Sequence, residues 1–409
     1  MELNLSEAKD LLLYIIKNNR SLQDRGQFPI SVSMESTAGT GKTSLCDQIA
    51  SELDCNYVKI NLSQLSDPSD LVGWPLKEHY VCNDEKGCEW ISAELIPTYT
   101  QLGYKLTSET RMSYAIPAWV KSLDPSKPSI VVLDDWTRIT PAIAQASMEI
   151  VCRQEYISWK LPKYTTIIMT ENPNDGSYNV SDMDEALQSR YMKFRIKFDI
   201  SAWSEWAERA QIDGRAINFL LQNYYELMKE NEQHKHPVNA RNYVMFANAI
   251  SGISNWETPS SLALINQIAS GAFIDDKDNI IGGLFTTFIA NKLDKLISPE
   301  DLLLKPWDSI KDKLIECVYT SNGTYRPDVA AILHTRLLNY STYYFEQAKA
   351  KTDVVQDRLL KLIECNDNPD EKMIFSEDFL FDIIRNLIKK FPNRTNKFML
   401  NSKIRNKVL

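Results

Sequence analysis

No stretch of this 409-residue sequence stays apolar over the ~18 residues that a membrane-spanning helix requires, so no membrane association is expected. The start, Met1-Glu2-Leu3-Asn4-Leu5, lacks the basic cluster that opens a signal peptide, and the expected location is cytoplasmic. Histidine is scarce, with four in the chain, and the seven cysteines (46, 55, 82, 88, 152, 317 and 365) form no C-x-x-C pair. A zinc site of the usual spacing is therefore not legible. Only Cys82 and Cys88 lie close together, and with His79 alone nearby a metal there would be short of ligands. An odd cysteine count in a reducing compartment reads as buried or free thiols. Internal repeats and low-complexity tracts are absent as well.

An excess of positive charge is also missing. The net charge is −8 and the pI near 5.3, which argues against a default nucleic-acid binder. The exception is the last stretch, where Lys389, Lys390, Arg394, Lys397, Lys403, Arg405 and Lys407 occur with no acidic residue among them. It reads as a solvated, partly frayed tail, with contact to an acidic partner or nucleic acid as the alternative. The remaining composition, 44% hydrophobic and 24% charged, is that of a globular chain long enough for two or three domains.

What the sequence does contain is a phosphate cradle. Ser36-Thr37-Ala38-Gly39-Thr40-Gly41-Lys42-Thr43 follows the apolar stretch Ile30-Ser31-Val32-Ser33-Met34 and precedes a helical pattern from Ser44 onward. Such a turn aims backbone N–H groups at an anion, with Lys42 reaching the β/γ-phosphates and the Thr43 hydroxyl placed for Mg²⁺. Gly39, Thr40, Gly41, Lys42, Thr43 and Ser44 are the candidate nucleotide-binding set. Ser36 stands where the first glycine of the G-x-x-x-x-G-K-[ST] pattern is usual.

Around this cradle strands and helices alternate. Residues 6–19 read as a helix capped by Ser6, 56–62 as a second strand, and 79–91 as a β-hairpin whose two cysteines face each other or share one side. Residues 112–121 suggest a short helix near Pro117. A buried strand over 128–135 ends in Asp134 and Asp135; 141–152 is helical, 165–170 is another buried strand, 184–189 a short helix, and 191–196 closes the sheet. This alternation specifies a doubly wound α/β layer. Beyond residue 200 the pattern turns helical, at 203–211, 216–232, 240–250 and 260–271, with turn residues at 275–279. Helical patterns continue at 298–301, 307–319, 327–349, 354–364 and 376–390. The expected domains are 1–200, 201–273 and 274–409.

Hydrolysis of a bound nucleotide needs carboxylates opposite the cradle. Asp134 is placed to hold the metal with Thr43, and Asp135 to polarise the attacking water. The ordered set Gly39-Thr40-Gly41-Lys42-Thr43, Leu133-Asp134-Asp135-Trp136, Met169-Thr170-Glu171-Asn172-Pro173 and Ala186-Leu187-Gln188-Ser189-Arg190-Tyr191 resembles the AAA+ ATPases, and within them the MoxR-like and dynein-related branch. The resemblance spans about residues 5–250. It implies a P-loop NTPase core with a parallel sheet flanked by helices, then an all-α lid and an α-helical C-terminal region. It makes Asn172 a sensor near the γ-phosphate, Arg190 a finger reaching into a neighbouring subunit's site, and Arg241 a second sensor on the lid. It identifies the 79–91 hairpin with the insert of that branch. It also implies ATP and Mg²⁺ as cofactors, a homo-oligomeric ring, usually of six, and a protein client, in this branch often one with a von Willebrand A-type fold. The sequence departs from the family at Asp135, where glutamate is usual, at Ser189, where aspartate often precedes the finger, and at Ser36-Thr37-Ala38, where Gly-Pro-Pro is usual. Two other functions compete: a slow-hydrolysing, nucleotide-gated switch and a nucleic-acid translocase. No N-[KT]-x-D guanine reader is evident, and GTP in place of ATP stays open.

Overall fold

The parallel sheet expected from the strand-helix alternation is present, in a computed structural model that describes residues 2–174, 185–228, 238–273, 280–347, 349–368 and 371–408. Residue 184, Pro237, the helix end at 229–232 and the turn cluster at 275–279 lie outside the described residues. The chain forms two compact units, Met1–Phe198 and Asp199–Leu409.

In the first unit the strands are β1 (Glu2–Leu3), β2 (Ser31–Glu35), β3 (Asn56–Asn61), β4 (Pro75–Asn83), β5 (Gly87–Ser92), β6 (Lys105–Tyr114), β7 (Ser129–Asp134), β8 (Glu155–Tyr156), β9 (Trp159–Lys160), β10 (Thr165–Glu171) and β11 (Tyr191–Ile196). Six of them make one sheet in the order β1-β11-β2-β10-β7-β3, with every pairing parallel. Both faces are covered, so β7 is apolar at successive positions. Ile130 and Val132 pack with Leu12, Ile16, Leu45 and Ile49 of helices Leu5–Asp24 and Lys42–Glu52. Val131 and Leu133 pack on the opposite side with Leu71, Ile143 and Ile150.

Five local readings are corrected. The first helix starts earlier than Ser6: Asn4 caps it, its side chain accepting from the Glu7 N–H while the Glu7 carboxylate accepts from the Asn4 N–H, both at 2.9 Å. The strand 191–196 does not close the sheet, because Glu2–Leu3 pairs outside it. The hairpin is part of a three-stranded antiparallel sheet, β5-β4-β6, and residues 112–114 belong to β6. The helix begins only after Pro117, at Ala118–Lys121. Finally, Cys82 and Cys88 do face each other, but as a disulfide rather than as free thiols or metal ligands. The other five cysteines are free.

The second unit is helical. Its elements run Ile200–Arg209, Gly214–Met228, Ala240–Ile250, Pro259–Ala272, Ile280–Ala290, Pro299–Leu304, Trp307–Val318, Pro327–Glu346, Lys349–Asp367, Glu377–Lys390, Asn396–Leu400 and Ser402–Val408. A buried ion pair joins its early and late helices. Arg336 donates through Nε and Nη2 to both Glu208 carboxylate oxygens, at 2.5 and 3.1 Å, and through Nη1 to Asn218 Oδ1 at 3.0 Å. Removing one partner of so buried a pair costs about 3–5 kcal/mol. Gly214 lies against that guanidinium, where a Cβ would come within 2.7 Å of Nη2.

The basic tail is neither frayed nor uniformly free. Phe398 and Ile404 are fully buried, and Lys397 pairs with Asp357 at 2.6 Å. Lys403 pairs with Asp367 and with Glu377, the latter at 2.7 Å, and Lys407 also pairs with Glu377.

Candidate nucleotide-binding site

The cradle leaves the carboxyl end of β2 and turns on two glycines in the left-handed region, Gly39 at φ +80° and Gly41 at φ +99°, where any side chain would be strained. Gly41 is the N-cap of Lys42–Glu52, and no side chain caps that helix start, the end of a helix that favours an anion. Thr40 is buried and its hydroxyl donates to the Thr37 carbonyl at 2.7 Å. Lys42 is also buried, and its ammonium donates to the Ser36 and Thr37 carbonyls at 2.6 and 3.1 Å. Ser44 follows on the exposed side of the first turn.

Thr43 meets Asp134 across the sheet. The Thr43 hydroxyl donates to Asp134 Oδ1 at 3.0 Å, and the Thr170 hydroxyl donates to the same oxygen at 2.5 Å. Lys59 Nζ lies 3.5 Å from Asp134 Oδ2. A hydroxyl and a carboxylate side by side are hard oxygen donors, the set that suits Mg²⁺, which keeps several waters and takes few protein ligands. Among the described residues no cluster of three or more histidine, cysteine or carboxylate side chains exists that could serve a different metal.

Asp135 is the next residue and leaves the strand at φ +57°, a conformation aspartate tolerates better than most. Its N–H donates to the Thr170 hydroxyl at 3.3 Å, and Ser63 donates to its Oδ2 at 3.5 Å. Asn172, just past β10, is buried. The β10 end is tied to the cradle, since the Ser36 N–H donates to the Glu171 carbonyl at 3.1 Å. Beneath it Lys193 bridges Glu35 at 2.5 Å and Glu171 at 3.1 Å, so two carboxylates beside the cradle are neutralised from β11.

Asp134 leaves a mark on its surroundings. Burial, then the Asp134 and Asp47 charges, push the Cys46 thiol up to about 12. Tyr57, half-buried, is raised chiefly by burial, with Cys46, Asp47 and Asp134 adding to it.

Arg190 stands apart from these groups. β11 runs parallel to β2 with Tyr191 opposite Ser31, so Arg190 precedes the end of the sheet opposite to the cradle. With about 3.3 Å per residue, the length of β2 alone sets it roughly 16 Å from its own chain's loop. Its guanidinium donates to the Ala186 carbonyl of the preceding helix. Arg241 lies in the second unit, exposed in the first turn of Ala240–Ile250, a helix capped by Asn239.

Thr170, Lys59, Ser63 and Lys193 are the neighbours that motif reading passes over. Lys59 lies two residues before Asn61, the last residue of β3, and Thr170 two before Asn172, just past β10; period-2 alternation puts residues at that spacing on one face of a strand.

A glycine turn between strand and helix, with a threonine and an aspartate meeting at its mouth, defines a P-loop nucleotide-binding domain. Residues 34–201 match the family described as "ATPase family associated with various cellular activities (AAA)". No curated protein matches the sequence. Among solved structures, a Cytophaga hutchinsonii protein designated an ATPase is 14% identical, covering 86% of this chain and 78% of that chain with a TM-score of 0.31. The Holliday junction branch migration motor RuvB of Thermotoga maritima is 14% identical, covering 80% of this chain and 88% of that chain with a TM-score of 0.32. No described helix is long and apolar enough to cross a membrane.

Proposed function

We propose that this chain is a Mg²⁺-dependent ATPase of the MoxR-like branch that assembles into a ring and uses hydrolysis to remodel a protein partner. The observation that carries the nucleotide chemistry is the Thr43–Asp134 contact at 3.0 Å beside the glycine turn. Lys42 exchanges its loop carbonyls for the β/γ-phosphates. Thr43 and Asp134 hold the metal, which when bound neutralises charge on the phosphate oxygens. Asp135 accepts a proton from the attacking water at a carboxylate oxygen, and Asn172 orients that water. The Asp135 side chain is one methylene shorter than glutamate, so the water must sit closer or be held differently.

The ring reading is supported by Arg190. It lies too far from its own cradle to act there, so it serves the site of an adjoining copy, and a head-to-tail contact of that kind makes a ring when the rotation between copies closes. The family resemblance is what makes Arg241 the second sensor. Partner remodelling follows from the family resemblance, with a von Willebrand A-type protein as the candidate client. The translocase alternative has less to rest on, because the basic tail spends Lys397, Lys403 and Lys407 on ion pairs within the chain.

The test is phosphate release with Mg-ATP. Asp135→Asn is expected to lower the rate by about 100-fold or more while ATP binding persists. Equal and negligible rates in both proteins would favour the nucleotide-gated switch instead.

A further inference from the structure

Asp134 carries a partner that metal binding does not call for. Lys59 belongs to β3, the edge strand, which pairs with β7 so that Lys59 sits beside Val132 and Asn61 beside Asp134. Tyr57, Lys59 and Asn61 share the face of that strand turned toward the helix that follows the cradle. Tyr57 reaches the Thr43 carbonyl at 3.4 Å, and Lys59 reaches Asp134 Oδ2 at 3.5 Å. Oδ1 is meanwhile occupied by the Thr43 and Thr170 hydroxyls. Both oxygens of the carboxylate are thus engaged by protein groups, and the Lys59 side chain is 43% exposed, free to swing away.

We propose that Lys59 competes with Mg²⁺ for Asp134, setting how much free Mg²⁺ the site needs before it holds Mg-nucleotide. This rests on the nucleotide-site reading given above. An ammonium at Oδ2 holds the carboxylate's charge when no metal is bound. It also repels a divalent cation arriving on the same group, and its displacement is part of the work of metal binding. A lysine whose role is only to hold β3 against β7 would contribute to stability without setting a metal requirement.

The test uses the full chain and a fluorescent methylanthraniloyl-ATP, titrated with MgCl₂ at constant ionic strength. Binding is read by fluorescence, and melting temperature is followed alongside. Lys59→Met keeps the aliphatic stem and removes the charge. It is expected to lower the Mg²⁺ midpoint by about two- to fivefold, the range an exposed ion pair of up to roughly a kcal/mol allows. Lys59→Arg is expected to keep the midpoint near that of the native chain. An unchanged or higher midpoint in Lys59→Met overturns the competition, whatever the melting temperature does. A native chain that binds the analogue neither with Mg²⁺ nor with EDTA overturns the nucleotide-site reading itself, and one that binds it equally in both overturns the metal competition at Asp134. Asp134→Asn serves as the control, expected to lose the Mg²⁺ enhancement.

Discussion

His334 shows how one residue's surroundings set a measurable pH response. It lies in helix Pro327–Glu346, stacked on Phe379 with ring centroids 4.5 Å apart, and its Nε2 is 3.3 Å from Asp382 Oδ2. Burial holds its pKa below the usual 6.5, and the Asp382 charge offsets that only in part. The unfolded chain therefore binds more protons than the folded one as pH falls below about 6.5, and stability drops there. Urea midpoints at pH 7.5 and 5.5 are expected to show a larger decrease for the native chain than for His334→Gln. An equal decrease in both would contradict it. The same scale explains what could be read from the sequence at the candidate site. Gly39, Gly41, Lys42, Thr43 and Asp134 were legible because the chemistry lies within one turn or at the end of one apolar strand. Thr170 and Lys59 were not, because their contact with Asp134 depends on β10 and β3 being the two neighbours of β7, an order no local pattern encodes.

Among the elements, the antiparallel sheet β5-β4-β6 departs most from expectation. The alternation that marks β4 and β5 is visible in the sequence, whereas β6 runs into Ala115-Ile116-Pro117-Ala118-Trp119, which looks like the start of a helix. Its strand character comes from pairing with β4, where Leu76 lies opposite Ser113 and Lys77 opposite Met112. The two-residue β1 is too short to show any period and is defined by its bonds to β11. The hairpin register sets Cys82 opposite Cys88, and the disulfide makes a countable prediction. Denatured without reductant, the protein is expected to expose five reactive thiols to Ellman's reagent, and seven after reduction. Seven without reductant would show that the pair is open.

For the whole molecule, the fold class was legible because the strands with two buried faces alternate with helices across the first unit. The helical second unit was legible as helices and not as an assembly. Its organising contact, Arg336 with Glu208, joins residues 128 positions apart, and no spacing rule points to it. The acidic partners of the tail, Asp357, Asp367 and Glu377, are likewise remote in sequence, which is why the basic run looked free.

The arrangement of Arg190 at the far end of the sheet from its own cradle leads to the most direct measurement of the account. Asp135→Asn and Arg190→Ala chains, each nearly inactive alone, are mixed in equal amounts, and phosphate release from Mg-ATP is followed. Sites shared between copies predict recovery toward about one quarter of native activity, since an intact Asp135 then meets a neighbour's intact Arg190 in about that fraction of sites. No recovery on mixing, or a fully active Arg190→Ala chain by itself, would contradict it.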